Sequence, residues 1–165
     1  MPALAREGDP SDPAILSHVD TIWQEKIKPN SGIYRILLSD IHLVSAAHGR
    51  IIATLLLREI HTNSKKTLHG AVSGALCDWA GGMAIASTGL HITGVSTDMH
   101  VSYVSTAQAG DTLEIEAWVT RTGQNLGFTC FEIRRGVTGA NGVKGPVVAA
   151  GSHTKYLKFG QTAAS

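Results

Sequence analysis

One long helical pattern lies among strand patterns in this chain of 165 residues, and it constrains the fold more than any other feature. Between residues 69 and 88 the apolar residues recur at helical spacing, whereas the segments after residue 94 alternate like strands joined by short turns. Hairpin connections favour an antiparallel sheet, and a helix of this length has to cover one of its faces. The sequence therefore predicts an α+β fold in which an antiparallel sheet wraps around one central helix.

The remaining elements follow from periodicity and from turn residues. A first helix is predicted over 13–28, because Asp12 can cap it and Pro13 suits its first position. Strands are predicted over 33–47 with an interruption near Ser39 and Asp40, and over 50–60, 95–105, 112–121, 127–135 and 147–156. The pair Asn141-Gly142 indicates a hairpin tip.

Asp78 is the one carboxylate in the apolar body of the long helix, and it is the first functional signal. An ionised carboxylate among small and apolar residues costs free energy unless it is paired, hydrogen-bonded or used. The helix begins beside Leu68-His69-Gly70, so the free N–H groups of its first turn can stabilise a developing oxyanion while the acid handles water. This combination suits acyl chemistry.

The spacing of Gly70 and Asp78 bears on assembly. Eight residues along a helix correspond to about 12 Å at a rise of ~1.5 Å per residue. One acyl carbon cannot lie within ~3 Å of both groups, which is what a shared catalytic site requires. If Gly70 and Asp78 cooperate, they must come from different subunits, and a dimer becomes a condition of the mechanism.

Composition and spacing exclude several other classes of function. The chain has 14 basic and 13 acidic residues, a net charge of +1, which provides no electrostatic footprint for nucleic acid or an anionic membrane. No apolar run reaches the length of a transmembrane helix. The histidines are scattered and no paired spacing of Cys or His occurs, so we predict no metal and no cofactor. The first residues lack signal-peptide and transit-peptide character, so a cytoplasmic location is expected, with a mitochondrial one left open.

The order of the elements, with Leu68-His69-Gly70 before the helix and Asp78 inside it, resembles the hotdog-fold acyl-CoA thioesterases of the PaaI type. Further similarities are His61-Thr62-Asn63, the strand opening at 94–99 and the final strand at 151–157. The resemblance covers about residues 33–158, the expected hotdog domain. It sets apart an N-terminal arm and helix, 1–32, and a C-terminal tail, 159–165.

The resemblance implies hydrolysis of an acyl-CoA to a free acid and CoA, without a cofactor, in a homodimer or a dimer of dimers. It implies that Gly70 donates its N–H to the thioester oxygen. It also implies that Asp78 of the other subunit acts as general base on water or as the nucleophile. Asn63 would hold the carbonyl or the water, Ser96 would orient the nucleophile, and His69 would support the loop or lie near the leaving sulfur.

Coenzyme A carries phosphates, which prefer Lys, Arg and free N–H groups. The candidates for binding it are Lys155, Lys158, Lys65, Lys66 and Tyr103.

Two alternatives remain at this point. A non-catalytic acyl-CoA-binding hotdog protein would not require the acid in the helix. A hotdog dehydratase or hydratase would require a base beside the thioester, usually a His paired with an acid. The helix bears Asp78 without an adjacent His, which argues against that second alternative.

Overall fold

A six-stranded antiparallel sheet folds around one long helix in the computed structural model, which describes residues 3–139 and 142–158. The elements are α1 (Pro13–Thr21), α2 (Gly32–Leu37), β1 (His42–Ala47), β2 (Arg50–Leu56), α3 (Gly70–Ala86), β3 (Val95–Tyr103), β4 (Thr112–Thr122), β5 (Leu126–Arg135) and β6 (Val147–Tyr156). The strands follow the order β1-β2-β4-β5-β6-β3, and all neighbours are antiparallel. The predicted α+β architecture is confirmed.

The long helix α3 forms the centre of the hydrophobic core. Its predicted apolar stripe is buried, with no member more than 3% exposed: Val72, Leu76, Trp79 and Met83. Every residue from Trp79 to Ala86 is buried, so the second half of the helix is covered on all sides. Burying a large apolar side chain contributes about 1.5–3 kcal/mol, which outweighs the poor helix propensity of the several glycines in this segment.

The strand predicted to start at residue 33 is wrong for its first part, because residues 32–37 form the helix α2. The Ser31 hydroxyl accepts a hydrogen bond from the Tyr34 N–H at 3.3 Å and caps this helix. A short apolar run does not distinguish a strand from a helix by periodicity alone, and here the cap decides. The strand predicted over 50–60 likewise ends early, at Leu56.

The N-terminal segment is packed onto the central helix rather than standing apart from it. Asp12 caps α1 as predicted, accepting hydrogen bonds from the N–H groups of Ala14 and Ile15. The helix continues through a π-helical turn, Ile22–Ile27, that carries the fully buried Trp23. The Trp23 ring meets the Trp79 ring edge-on, with centroids 5.5 Å apart. Residues 3–37 therefore include side chains that help to build the core around α3.

The face of the sheet away from α3 carries a cluster of charges. Glu114 and Glu116 alternate with core residues of β4, and they are only 5% and 4% exposed. Glu116 pairs with Arg50 and with Lys144, and Glu114 accepts hydrogen bonds from Thr138. We call these five residues the outer carboxylate cluster. Its contacts from the segment after β5 come from Thr138 and Lys144. Residues 140 and 141 of the predicted hairpin tip and the predicted tail 159–165 lie outside the described residues.

Candidate active site

The first turn of α3 is held by the residue that precedes it. His69 is the N-cap, and its Nδ1 accepts a hydrogen bond from the Ala71 N–H at 3.0 Å. Gly70 is the first helical residue, so its N–H has no acceptor within the helix and remains available to a ligand. The Tyr103 hydroxyl lies beside it and donates to the Gly70 carbonyl at 3.3 Å.

Asp78 lies two turns further along α3 and accepts hydrogen bonds from three other elements. Its Oδ1 accepts from Lys155 Nζ of β6 and from Ser96 Oγ of β3, both at 2.7 Å. Its Oδ2 accepts from the Tyr34 hydroxyl of α2 at 2.5 Å. Burial opposes ionisation of this carboxyl, but the Lys155 charge and these hydrogen bonds outweigh burial and lower the pKa of Asp78 to about 2. The carboxylate is therefore ionised at neutral pH, and because its side chain is 36% exposed it is also accessible.

The structure places Lys155 inside the site, whereas the sequence prediction assigned it to the phosphates of CoA. It is only 4% exposed, and its ammonium group is bonded to Asp78 and lies 3.5 Å from Ser96 Oγ. A buried lysine whose charge is already paired cannot present that charge to a phosphate in solvent. Sequence reasoning missed this role because alternation along β6 does not reveal which helix residue an inward lysine meets.

The other predicted CoA contacts are at the surface. Lys65, Lys66 and Lys158 are exposed, and Lys66 forms an open ion pair with Glu59 at 3.1 Å. Tyr103 is 62% exposed. These four positions keep their side chains available to a ligand, in contrast to Lys155.

His153 is a further residue at the site that the sequence prediction did not include. It lies on β6, is 1% exposed, and its Nε2 lies 3.7 Å from Asp78 Oδ1. Among the described residues neither ring nitrogen makes a hydrogen bond of good geometry. Burial, together with the Lys155 charge, lowers the pKa of His153 to about 4, so the ring is neutral at neutral pH.

His153 bears on the dehydratase alternative, which the sequence disfavoured because no histidine is adjacent to Asp78 in the helix. In the fold β6 brings a histidine close to Asp78. The ring is sealed from solvent, however, and cannot reach a substrate as the base of a dehydratase would. Gly81 explains how it fits, since a Cβ there would lie 2.9 Å from His153 Nδ1.

Asn63 is engaged by its own loop. Its side-chain oxygen accepts from the Lys65 N–H at 2.9 Å, and its amide nitrogen donates to Thr67 Oγ1 at 3.0 Å. These contacts form the turn that leads the chain into α3. Within one protomer Asn63 is not bonded to Asp78, so its predicted role in holding the carbonyl remains a prediction.

Two cavities meet at the Asp78 carboxylate. The front cavity, of about 880 Å³, is lined by Gly70, Asp78, Ser96 and Tyr103. The rear cavity, of about 380 Å³, is lined by Asp78, Ser96 and Lys155 together with apolar side chains: Ile27, Trp79 and Met83. Of the predicted catalytic residues, the protomer thus gathers Gly70, Asp78 and Ser96 around one cavity, while His69 caps the helix beside it.

In the part of the chain that the structure describes, no three His, Cys, Asp or Glu side chains are grouped closely enough to hold a metal ion. None of the helices within residues 3–139 and 142–158 has the length and hydropathy that crossing a bilayer requires.

A six-stranded antiparallel sheet wrapped around one helix is the architecture of the hotdog fold, and the accessible carboxylate on that helix is the residue that the predicted thioesterase activity requires. A sequence model described as the thioesterase superfamily matches residues 65–141. Acyl-coenzyme A thioesterase 13 of Homo sapiens is 38% identical over 121 residues, which are 73% of this chain and 82% of the human protein. The putative esterase C31F10.02 of Schizosaccharomyces pombe is 35% identical over 145 residues, 87% and 85% of the two chains. The chain belongs to the thioesterase superfamily and is a thioester hydrolase.

Solved structures agree with the predicted fold. Thioesterase superfamily member 2 from Mus musculus is 30% identical, with a TM-score of 0.72 over 88% of this chain and 98% of the mouse chain. The E. coli PaaI protein of the phenylacetic acid degradation operon has a TM-score of 0.64 at 21% identity, over 84% and 94% of the two chains. The predicted hotdog fold is confirmed.

Proposed function

We propose that this protein is an acyl-CoA thioesterase that hydrolyses its substrate to a free acid and CoA. The observation that carries the proposal is Asp78, an ionised carboxylate at the junction of two cavities, held by donors from three other elements. The side chain is 36% exposed and lines the front cavity, and a strongly perturbed ionisable group in a cleft is a candidate for a functional site. The name of the human relative supports coenzyme A as the thiol carrier.

The chemistry requires water to add to the thioester carbonyl and the C–S bond to break. In one route Asp78 accepts the proton of the attacking water, and the departing thiolate is then protonated. In the other route Asp78 attacks the carbonyl itself, and water hydrolyses the resulting anhydride. Both routes begin from the ionised acid, which the low pKa of Asp78 maintains at neutral pH. Ser96, at 2.7 Å from Oδ1, holds the carboxylate in one orientation for either route.

Single turnover in water enriched in oxygen-18 can identify the route through Asp78. If Asp78 attacks and water then opens the anhydride at the aspartyl carbon, the label enters the enzyme carboxylate, where mass spectrometry of the peptide containing residue 78 detects it. Direct attack by water never labels the enzyme, so label at residue 78 would establish the anhydride.

The proposed site is shared between two subunits. Gly70 and Asp78 of one helix are about 12 Å apart, so the oxyanion donor for a given Asp78 has to be the partner subunit's Gly70. The edge strand β3 supports a second copy as the neighbour, because it exposes the apolar side chains of Met99 and Tyr103 beside the front cavity and that of Val95 beside the rear cavity. An edge strand with exposed apolar residues pairs readily with another strand. Asn63 and His69 precede the same helix turn and would join the partner's half of the site.

The proposed mode of CoA binding uses the exposed cations near the start of α3 and the end of β6. Lys65, Lys66 and Lys158 can approach phosphates without first breaking a buried ion pair. Tyr103 lies at the front cavity, where its ring can contact the pantetheine arm or the acyl group.

The oligomeric state is open to direct measurement, because analytical ultracentrifugation distinguishes a dimer from a dimer of dimers, both of which the sequence resemblance allows.

The test of the proposed function is CoA release from a panel of short, medium, long and aryl acyl-CoAs, with wild type beside Asp78→Asn. Turnover that the substitution abolishes, with CoA binding retained in calorimetry, supports the proposal. Absence of turnover by the wild type on the whole panel, with tight CoA binding, would favour the non-catalytic acyl-CoA-binding protein.

A further inference from the structure

The N-terminal segment delivers a hydroxyl group to the catalytic carboxylate. Tyr34 lies on α2, which precedes the region 65–141 matched by the thioesterase superfamily model. Its hydroxyl donates to Asp78 Oδ2 at 2.5 Å, the shortest of the three side-chain hydrogen bonds on that carboxylate. Short O–H···O⁻ bonds are among the stronger hydrogen bonds in proteins.

The hydrogen bonds on Asp78 leave one direction for a reacting molecule. A carboxylate has about four lone-pair sites, two on each oxygen. Ser96 and Lys155 occupy those of Oδ1, and Tyr34 occupies one of Oδ2. Among the described donors no other side chain reaches Oδ2, so a single acceptor site remains for water or for the approach to a carbonyl carbon.

We propose that Tyr34 is a positioning residue for the hydrolysis, because it holds Oδ2 of Asp78 so that only one of its lone pairs faces the substrate. This inference rests on the proposed function and extends it to the N-terminal segment. Tyr34 and Ser31 line both cavities, as do Asp78 and Ser96. The hydroxyl–carboxylate contact therefore lies on the boundary between the two cavities, where the thioester carbon has to be placed.

The surroundings of Tyr34 hold its ring in place. Its backbone N–H donates a hydrogen bond to the Ser31 hydroxyl. Its ring centroid lies 6.0 Å from that of the buried Trp23, which in turn packs on Trp79 of α3. Burial, with the adjacent Asp78 charge, raises the pKa of the Tyr34 hydroxyl, so it remains protonated and can only donate to the carboxylate. The helix α2 thus holds the Tyr34 hydroxyl against Asp78 of α3.

The charged and titratable groups around Asp78 come from each element that packs against it. They are Tyr34 of α2, Cys77 of α3, and His153 and Lys155 of β6, with the polar Ser96 of β3. Removing the Tyr34 hydroxyl leaves the other groups in place, so a change in the titration of Asp78 reports on this hydrogen bond.

The test is Tyr34→Phe, which keeps the ring that packs on Trp23 and removes only the hydroxyl. We expect kcat to fall about tenfold, with KM within twofold of wild type, because the carboxylate loses orientation and not substrate contacts. The acidic limb of the kcat/KM profile should also move to higher pH by about one unit, since a hydrogen bond to a charged group contributes more than 1.36 kcal/mol. The matched control is Tyr156→Phe, which removes a phenolic hydroxyl on β6 and should leave both quantities unchanged.

Two outcomes separate this inference from the proposed function. If Asp78→Asn is inactive while Tyr34→Phe has wild-type kcat and an unmoved acidic limb, the positioning role is wrong and the proposed function stands. A second measurement needs no turnover: carboxyl carbon-13 NMR titration of Asp78 in wild type and Tyr34→Phe. An upward shift of the Asp78 pKa in the variant supports the inference even without a known substrate, and equal pKa values would overturn it.

Discussion

Asp78 and Glu116 are both paired carboxylates of this fold, yet they lie on opposite faces of the sheet and differ in access. Asp78 accepts hydrogen bonds from Lys155, Ser96 and Tyr34 and keeps 36% of its side chain exposed. Glu116 pairs with Arg50 and Lys144 and has a side chain only 5% exposed. Pairing alone therefore does not identify a catalytic acid. The exposure of its carboxylate toward the two cavities distinguishes Asp78, the proposed catalytic acid, from the buried Glu116.

The substitution with the largest expected effect tests the difference between the accessible Asp78 and the buried Glu116. Asp78→Asn should lower kcat/KM by about a thousandfold, because loss of a general base costs about 10²–10⁴. Glu116→Gln should leave kcat/KM unchanged but lower the free energy of unfolding by up to about 3 kcal/mol, since Arg50 and Lys144 lose a buried partner. Steady-state kinetics and urea unfolding of both variants measure the contrast. Full activity in Asp78→Asn would remove the catalytic role from that carboxylate.

The next effect concerns the sheet edge that borders the Asp78 face. Met99→Lys puts a charge in the middle of the edge strand β3 and should dissociate the proposed dimer, with a loss of activity of about a hundredfold from the missing oxyanion donor. Val44→Lys makes the same change at an exposed apolar position on the other edge strand, β1, and should retain assembly and activity. Light scattering after size exclusion and kinetics on the same samples provide the readout. A monomeric and fully active Met99→Lys would contradict the shared site.

A smaller effect is expected from the packing beneath Asp78. Gly81→Ala places a Cβ 2.9 Å from both His153 Nδ1 and Thr129 Oγ1, so it should destabilise the fold by about 2 kcal/mol. Gly32→Ala at the start of α2 meets no atom within 4 Å and should be neutral or slightly stabilising. Thermal and urea unfolding compare the two. Equal stabilities would show that the β6 strand shifts freely away from α3.

The last expected effect is small at any one pH step, and it is a pH dependence of stability from His153. Its pKa is lowered by burial from 6.5 to about 4 in the folded state, so the unfolded chain binds a proton first as the pH falls. Stability should therefore be fully present above pH 6.5 and decline toward pH 4, by at most about 1.4 kcal/mol per pH unit. Urea unfolding from pH 7 to pH 4 measures the slope. His153→Gln should reduce the slope, to which the buried His61, whose pKa is also lowered by burial, still contributes. His42→Gln, at an exposed position on β1, should leave it unchanged.

The sequence could predict much of the fold because its periodicities are strong. The stripe of α3 and the alternation of β4 both describe local faces, and local faces follow from residue spacing. The strand prediction was wrong at its start, because a short and largely apolar run fits either periodicity. Only the Ser31 cap and the packing onto α3 make residues 32–37 a helix. Its misassignment concealed Tyr34, which a strand would have placed elsewhere.

The candidate site divides in the same way. Asp78 could be found from the sequence, because a lone acid in an apolar helix costs free energy unless it is paired or used, and Gly70 followed from its place at the start of the same helix. Lys155 was found as a charged residue but given the wrong partner, and His153 was not found at all. Their signal is three-dimensional, since neither lies within 70 residues of Asp78 along the chain.

By itself the sequence determined the order of the elements, the central helix and the carboxylate within it, because these depend on local spacing and on the free energy of burying apolar side chains. Only the tertiary structure decided what surrounds that carboxylate. The chain reversals that bring β3, β6 and α2 to one side of α3 are set by strand pairing and core packing, and these place Ser96, Lys155 and Tyr34 on Asp78. The acid is a feature of the sequence, and its low pKa is a property of the fold.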